Sequence, residues 1–532
     1  GEPIWFVDGW PVAVRVPYGN GLVLVTTISP EVFAVSRATK NELEPSHETI
    51  ASMRRFQDTF FNPRSSSLIR EEPVTAQAAA QIGYQIPSRS FAVALSLSFP
   101  LLLLVGGTAL LKRHAGEKLI WLLPATAVLV SVPAIGRAWI ARGVAPQTVI
   151  QTQLIQTLPG QSTLISDGYV TTYNPDPVTL SVKADDSAVL ELRQDSTNLD
   201  YRRLVWTGRD QNEWVNLKQP AGIETFRVRN TRHFSAPIDA LGTFDKDGLT
   251  GQLSAGDLQN FRNAVLAGPI PERSSVQLDG EGRFRSASTD VLAAGQFFRT
   301  SMINDEQRQH SGILESVFTQ GQRLEAFPEQ PSLLCWADAS PSAIDVGGEQ
   351  ARRHNSLLLV IPVRLEAPAE GSSITIPPTF MPFRVMADES GSFSTLFNNN
   401  KRLWDQNGRE SAGTIRLQFD LPRVCLPFEA DLAEVHLKIR AGSRNVRIFG
   451  GPLNRLEMVH ELNSPVGAFD FTIPAESLRE TARAGNVYLE LKVSDLPGSP
   501  QTISDSGEQD DSWLVESLHM TLRGRRVSID ID

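Results

Sequence analysis

A metal centre or a nucleophilic site in this chain would have to be built from eight histidines and two cysteines. The histidines are scattered, with no H-E-x-x-H pair on one helix face and no H-x-H, and Cys335 and Cys425 lack metal-ligand spacing, so zinc hydrolysis has no ligand set. No G-x-S-x-G elbow, Walker loop or dinucleotide fingerprint occurs. Gly280-Glu281-Gly282 lacks both the further glycine and the strand-to-helix setting that a phosphate loop needs. Two acidic stretches invite calcium, because hard carboxylate oxygens at alternate positions chelate it. Asp245-Lys246-Asp247-Gly248 lacks the distal bidentate glutamate and reads as a hairpin turn. Asp505-Ser506-Gly507-Glu508-Gln509-Asp510-Asp511 reads as an acidic surface loop. No catalytic residue, cofactor ligand or metal ligand is therefore assigned. One side chain remains as a ligand platform: Trp404, in the polar segment Asn398–Gln406, would offer a sugar ring an aromatic face if it were exposed.

Charge narrows the partners further. The net charge is −10 over 532 residues, and nucleic-acid binding needs clustered Lys and Arg to neutralise phosphates, so nucleic acid is excluded. Arg202-Arg203 and Arg523-Gly524-Arg525-Arg526 are short enough to be solvated strand edges. Two cysteines permit one bridge if their strands are neighbours; otherwise they are two small buried hydrophobes.

The strongest signal for a positioning element is apolar. From Phe91 to Leu111 the chain carries no charge, and a helix of that length rises about 30 Å, enough to cross a bilayer core. After the connector Lys112–Lys118 a second apolar run extends from Leu119 to Gly136, closed by Arg137, Trp139 and Arg142, and the second span is read as Leu119 to about Ile140. Trp121 and Trp139 sit where aromatic side chains favour the interface. Pro100 and Gly106-Gly107 are compatible with such helices, and the glycines admit close approach of a neighbour. The expectation is a multi-pass protein of the bacterial inner membrane with the lipid bilayer as its first partner. Lys112, Arg113 and Lys118 concentrate charge in the connector, which places the connector in the cytoplasm and both soluble regions outside.

Before the hairpin, Pro3–Val7, Trp10–Val16 and Leu22–Thr26 alternate with Asp8-Gly9 and Gly19-Asn20-Gly21, which predicts an antiparallel meander. Ser46 then caps a predicted helix His47–Phe61, with Ile50, Met53, Phe56, Phe60 and Phe61 on one stripe. The opening Gly1-Glu2-Pro3 carries neither a methionine nor a leader and reads as the remainder of a longer product. The run Val14-Arg15-Val16-Pro17-Tyr18-Gly19-Asn20-Gly21-Leu22-Val23-Leu24-Val25, followed by a hairpin entered through Ile86-Pro87-Ser88-Arg89, resembles a set of uncharacterised bacterial membrane proteins. In that group a glutamine-amidotransferase-like domain ends in a similar strand just before the membrane. Asp167-Gly168-Tyr169-Val170 and Ser332–Asp338 extend the resemblance to about residue 366. It implies an α/β remnant over residues 1–65 and a β domain outside the membrane. The family's nucleophile region has no counterpart, since no cysteine precedes Cys335, so amidotransferase chemistry does not carry over.

Beyond Thr148, strand patterns dominate, including Val178–Lys183, Val189–Arg193, Arg203–Trp206, Glu213–Leu217 and Ile223–Arg229. Helical signals are few, the clearest being Ser254–Val265 and Ala475–Ala484. The predicted fold class is a membrane-anchored, multidomain protein with a two-helix hairpin and mainly-β soluble domains. Residues 66–90 form a linker, 148–366 a β-sandwich region, 367–411 a linker with a loose segment, and 412–532 a jelly-roll-like sandwich. The expected function is noncatalytic: the extracytoplasmic β domains scaffold or bind an envelope component or another membrane protein. The alternatives are carbohydrate binding by the C-terminal sandwich and service as an accessory subunit of a transporter.

Overall fold

A computed structural model describes residues 2–27, 69–191, 203–497 and 512–528, apart from short interruptions inside those spans. The predicted helix His47–Phe61 and the acidic loop Asp505–Asp511 lie outside the described residues. β1 (Glu2–Val7), β2 (Trp10–Tyr18) and β3 (Gly21–Thr26) form the expected antiparallel meander.

The segment expected to be a linker contains a helix, α1 (Glu71–Ile82). Glu71 and Glu72 in its first turn complement the helix dipole, and Val74, Gln77, Ala78 and Ile82 are buried along one face. Two long apolar helices follow, α2 (Arg89–Lys112) and α3 (Leu119–Val144). Among the described residues, Val93–Lys112 is the one helix long and apolar enough to cross a membrane by length and composition, and 6% of it is buried; Ile120–Val132 is a shorter apolar stretch of α3. The two helices meet at Gly106, where a Cβ would lie 2.8 Å from Leu122 Cδ1, so any larger residue would push Leu122 aside.

The chain then builds a thirteen-stranded sheet. The strands that matter for the site are β4 (Thr148–Gln156), β5 (Thr163–Asn174), β6 (Gly222–His233), β7 (Arg262–Ala267), β8 (Ser332–Asp338) and β9 (Arg352–Leu365). β9 runs antiparallel to β8 and parallel to β4; β4 pairs with β5, β5 with β6, and β7 with β8. β8 is buried on both faces, which is why Leu333-Leu334-Cys335-Trp336-Ala337 is a continuous apolar run. Leu334 and Trp336 join Leu154, Leu358 and Val360 in one core, closed over by α4 (Asp305–Phe318) and by Ile69 and Val74. Leu333, Cys335 and Ala337 face the other core, which continues into the C-terminal sandwich.

No helix forms over Ser254–Val265. Asn260 and Asn263 take positive φ (57° and 53°), which interrupts helical backbone, and Arg262–Ala267 becomes β7. The helix at the second site is present as Ala475–Arg483.

The C-terminal region is a two-layer sandwich, and it starts earlier than composition suggests. The region 367–411, assigned to a linker with a loose segment, supplies two strands, β10 (Ser373–Ile376) and β11 (Phe383–Met386). They are followed by β12 (Gly413–Asp420), β13 (Phe428–Arg440), β14 (Arg444–Gly450), β15 (Glu457–Asn463), β16 (Val466–Pro474), β17 (Asn486–Pro497) and β18 (Leu514–Arg526). One sheet has the order β10-β18-β13-β16, the other β11-β12-β17-β14-β15. The pairs nest outward from the β14–β15 hairpin: β13 with β16, β12 with β17, β10 with β18. One antiparallel ribbon is thus wound across both layers. The sandwich is joined to the preceding sheet by continuous packing, with Phe244 edge-on to Phe380 at 5.1 Å and the Thr375 N–H donating to the Asp245 carbonyl at 2.8 Å.

Cys335 and Cys425 are buried and unpaired, and burial pushes both thiols up to about 12, so they are inert hydrophobes rather than a bridge.

Candidate functional site

The sheet face under α1 and α4 is apolar at one end and polar at the other. Pairing in register sets Arg352 beside Thr148, His354 beside Ile150, Ser356 beside Thr152 and Leu358 beside Leu154. Alternation then places Arg352, His354 and Ser356 on the face that Leu358 and Val360 fill further along β9. The core therefore gives way to a polar cleft at the start of β4 and β9. That end is where the chain arrives from α3, since Val144 ends α3 and the Arg352 N–H donates to the Gln147 carbonyl at 2.9 Å. Gln81, next to last in α1, closes the cleft against Gln309 of α4, its Nε2 donating to Gln309 Oε1 at 3.3 Å. The cleft encloses about 500 Å³.

α4 carries the best-formed side chain of this site. Asn304 and Gln307 cap it reciprocally, the Gln307 N–H donating to Asn304 Oδ1 at 2.7 Å and the Asn304 N–H to Gln307 Oε1 at 3.2 Å. His310, Ile313, Leu314, Val317 and Phe318 then fall on one buried stripe. The His310 ring stacks on Trp336 at 3.9 Å and 8°. Asn263 Nδ2 lies 2.9 Å from His310 Nδ1; an amide nitrogen only donates, so Nδ1 accepts and the proton sits on Nε2. Arg262 is held between Glu306 Oε1 at 2.6 Å and Asp338 Oδ1 at 3.0 Å, and Asn260 Nδ2 donates to Asp338 Oδ2 at 2.7 Å. Both carboxylates are thereby engaged within the protein.

Polar capacity, by contrast, is left over on both the donor and the acceptor side, and Gln81 Oε1 is a buried acceptor without a partner. His354 Nε2 and Trp336 Nε1 are buried without a partner, and the same layer holds Thr152 Oγ1 and both amide atoms of Gln77 in that condition. Buried polar atoms of this kind each cost about 1–3 kcal/mol when unmet, and two of them, His354 Nε2 and Gln81 Oε1, line the cleft, which marks it as a place that suits something polar.

Burial, and then Arg262, hold His310 down to about 3, and burial followed by Arg352 lowers His354. The sign follows from linkage: between pH 6.5 and 3 the unfolded chain takes up a proton at His310 that the folded chain refuses, so stability is present above 6.5 and lost as pH falls. At pH 5 the loss amounts to about 2 kcal/mol. Chemical denaturation at pH 7.5 and 5.0 should show this difference in the native protein and a smaller one in His310→Gln; equal pH sensitivity in both would refute the assignment.

Two other clusters do less. A hollow of about 700 Å³ lies along Gly242, Gly251 and Phe284, but none of its lining side chains carries a buried unpartnered polar atom. Glu272 Oε1 sits 4.0 Å from His519 Nδ1 where the sheet meets the sandwich, and His519 stacks on His436, which is 2.6 Å from Asp470. Burial raises Glu272 to about 7 and lowers His519 to about 4, but neither residue lines either of the two cavities described above.

Trp404 is not a platform. It is 7% exposed, with its ring 5.0 Å from Phe397 and 5.8 Å from Phe383, because the short hairpin Phe397–Asn398 and Leu403–Trp404 folds it inward. In Asp245-Lys246-Asp247-Gly248, Asp245 Oδ1 accepts the N–H groups of Asp247 and Gly248, so this carboxylate is used by the turn. Among the described residues no group of three or more His, Cys, Asp or Glu side chains is arranged to hold a metal.

No family model and no curated protein matches this chain. Solved structures do. The Fcho1 mu homology domain from Danio rerio, with bound Eps15 peptide, is 11% identical, with 41% of this chain and 96% of that chain covered and a TM-score of 0.19. A mutant two-domain M1 zinc metallopeptidase bound to L-tryptophan is 11% identical, and the same kind of mutant bound to L-arginine 12%; each match covers 27% of this chain and 38% of that one at a TM-score of 0.12. At these scores the likenesses inform neither fold nor chemistry.

Proposed function

We propose that the chain is a noncatalytic, membrane-anchored protein whose helices α2 and α3 form a hairpin through the bacterial inner membrane, and whose β domains on one side bind or scaffold another envelope component. The observation that carries this reading is the docking of α1. It precedes the hairpin, yet Val74 shares a core with Leu334, Trp336 and Leu358, and Ala78 and Ile82 share one with Ile150 and Tyr173, all of which follow it. Flanks in one core lie on one side of a bilayer, so a chain that crosses through α2 must return. α3 supplies the return: its 26 residues rise about 39 Å, against about 30 Å of hydrocarbon. Large apolar side chains exposed on both helices, among them Leu101, Leu104, Ile120 and Leu129, fit lipid contact. In this reading the nested pairing of the C-terminal sandwich is a jelly roll, and the opening meander is the remnant of the amidotransferase-like domain. The carbohydrate reading loses its platform with the burial of Trp404, and Gly106 is spent on Leu122 rather than left for a transporter subunit.

Single cysteines test the topology, because both native thiols are buried. Ala76→Cys on the exposed side of α1 and Gly280→Cys in an open turn should label with an impermeant maleimide from one side of the membrane, and Glu117→Cys in the connector from the other. Labelling of Ala76→Cys and Gly280→Cys from opposite sides would end the hairpin reading.

A further inference from the structure

We infer that the cleft between α1, α4 and the start of β9 binds a phosphate group presented at the membrane surface, the headgroup of an anionic phospholipid. This rests on the anchored reading for the source of the phosphate, though not for its chemistry.

The donor balance favours an anion. Glu306 and Asp338, the carboxylates lining the cleft, are already occupied by Arg262 and Asn260. Arg352 is exposed and makes no ion pair among the described residues. His310 presents its Nε2–H by the tautomer that Asn263 imposes. Among the residues lining the cleft, His354 Nε2 is buried without a partner, as is one acceptor, Gln81 Oε1. A phosphate has enough acceptor lone pairs to meet several such donors at once, and charge-assisted bonds to guanidinium are the strong ones. An ammonium would instead need a carboxylate, and Glu306 and Asp338 already face Arg262, which leaves the Gln81 amide oxygen as the one buried unpartnered acceptor among the lining residues. The lowered proton affinity of both histidines reports the same local field, since Arg262 and Arg352 contribute to it.

Chain connectivity places the cleft at the headgroup level. Three residues separate α3 from β4 and six separate α1 from α2, so the cleft lies within about 10 Å and 20 Å of chain from the helix ends. Arg89, Arg137 and Arg142 lie in the same stretch of sequence and add to the attraction of an anionic surface.

The test uses the full chain in a non-ionic detergent and two probes, dihexanoyl phosphatidylglycerol and inorganic phosphate, with titration calorimetry as the readout. The lipid should bind, with affinity about 10-fold weaker in Arg352→Gln and in His354→Gln, restored in Arg352→Lys and unchanged in Arg283→Gln on a distant exposed turn. Circular dichroism matching the native protein certifies each variant as folded. Binding of inorganic phosphate alone, with the same losses in the same variants, supports the phosphate site and assigns its source to solution. If neither probe binds, or the variants bind as tightly as the native chain, the inference fails. The cysteine labelling pattern is independent of this titration, so a failed anchor and an empty cleft are told apart.

Discussion

Val74→Asp is expected to release α1 from the β body at a cost of about 3–5 kcal/mol. Val74 is fully buried and packs into the core of Leu334, Trp336, Ile313 and Phe318. A carboxylate at that position would enter an apolar core whose one neighbouring guanidinium among the described contacts, Arg273, is stacked on Phe318 and Phe297, so the helix is expected to leave or to carry a protonated acid. Beyond the packing of Ala78 and Ile82 against Ile150 and Tyr173, the remaining ties of α1 are two hydrogen bonds, the Thr75 to Thr225 hydroxyl contact at 3.1 Å and the Gln81 to Gln309 bond at 3.3 Å. Net, each is about 1 kcal/mol. Release should appear as fast amide exchange across Glu71–Ile82 and new proteolysis within it, with slow exchange preserved in the C-terminal sandwich. Ala76→Asp places the same charge on the exposed side of the same helix. It should cost no more than about 0.7 kcal/mol, the loss in helix propensity. If both variants exchange alike, α1 is not docked, and the argument from shared flanks to a returning hairpin goes with it. The phosphate site should weaken in Val74→Asp as well, because Gln81 closes the cleft from that helix.

What is legible in the sequence divides along a physical line. Long apolar runs and tight-turn residues act locally, so α2, α3 and the β1–β3 meander can be read, as can the β-rich character of everything after Thr148. Register over distance cannot. The stretch Ala367–Pro378 looks like a linker because β10 is only four residues long and is edge-paired to β18, a partner that follows it by more than a hundred residues. α1 is hidden for a related reason: half of its buried face is alanine and glutamine, which carries little hydrophobic contrast. α4 does have a legible start, the Asn304-Asp305-Glu306-Gln307 capping box, followed by an apolar stripe from His310 to Phe318, and it is not among the two segments read as the clearest helical signals. The Ser254–Val265 stretch shows the opposite error, since its apolar spacing suits a helix but Asn260 and Asn263 adopt left-handed backbone. The cleft itself is beyond reach, because Gln81, Arg262, His310, Asp338 and His354 come from five elements and form no spacing that any motif describes. Trp404 stands out in sequence for its polar neighbours, but the rings of Phe383 and Phe397 that pack on it are brought there by pairing that sequence does not display.

A second large effect is expected inside the sandwich. Arg416 on β12 lies directly across from Glu490 on β17, with Nη2 at 2.5 Å and Nε at 2.7 Å from Oε2, and their side chains are 9% and 2% exposed. Such a pair contributes little when intact, because desolvation of both charges offsets most of their attraction. Removing one partner is different, since the other is left charged in a medium that cannot solvate it. Arg416→Met should therefore cost about 3 kcal/mol, at the low end of the usual range because Lys492 Nζ stays 2.9 Å from Glu490 Oε1 at the rim. Replacing both, as Arg416→Met with Glu490→Leu, should recover most of that loss, giving a coupling energy of about 2 kcal/mol or more in a double-mutant cycle. Amide exchange of β12 and β17, read peptide by peptide, measures each corner of the cycle without requiring the whole chain to unfold in one step. Additive losses in the double variant would mean that the two side chains act separately, and the contact would then be an ordinary edge of the sandwich rather than its ionic centre. Because β12 and β17 form one nested pair of the wound ribbon, a loss here should spread to β14 and β15 while leaving α1, α4 and the phosphate cleft at their native exchange rates.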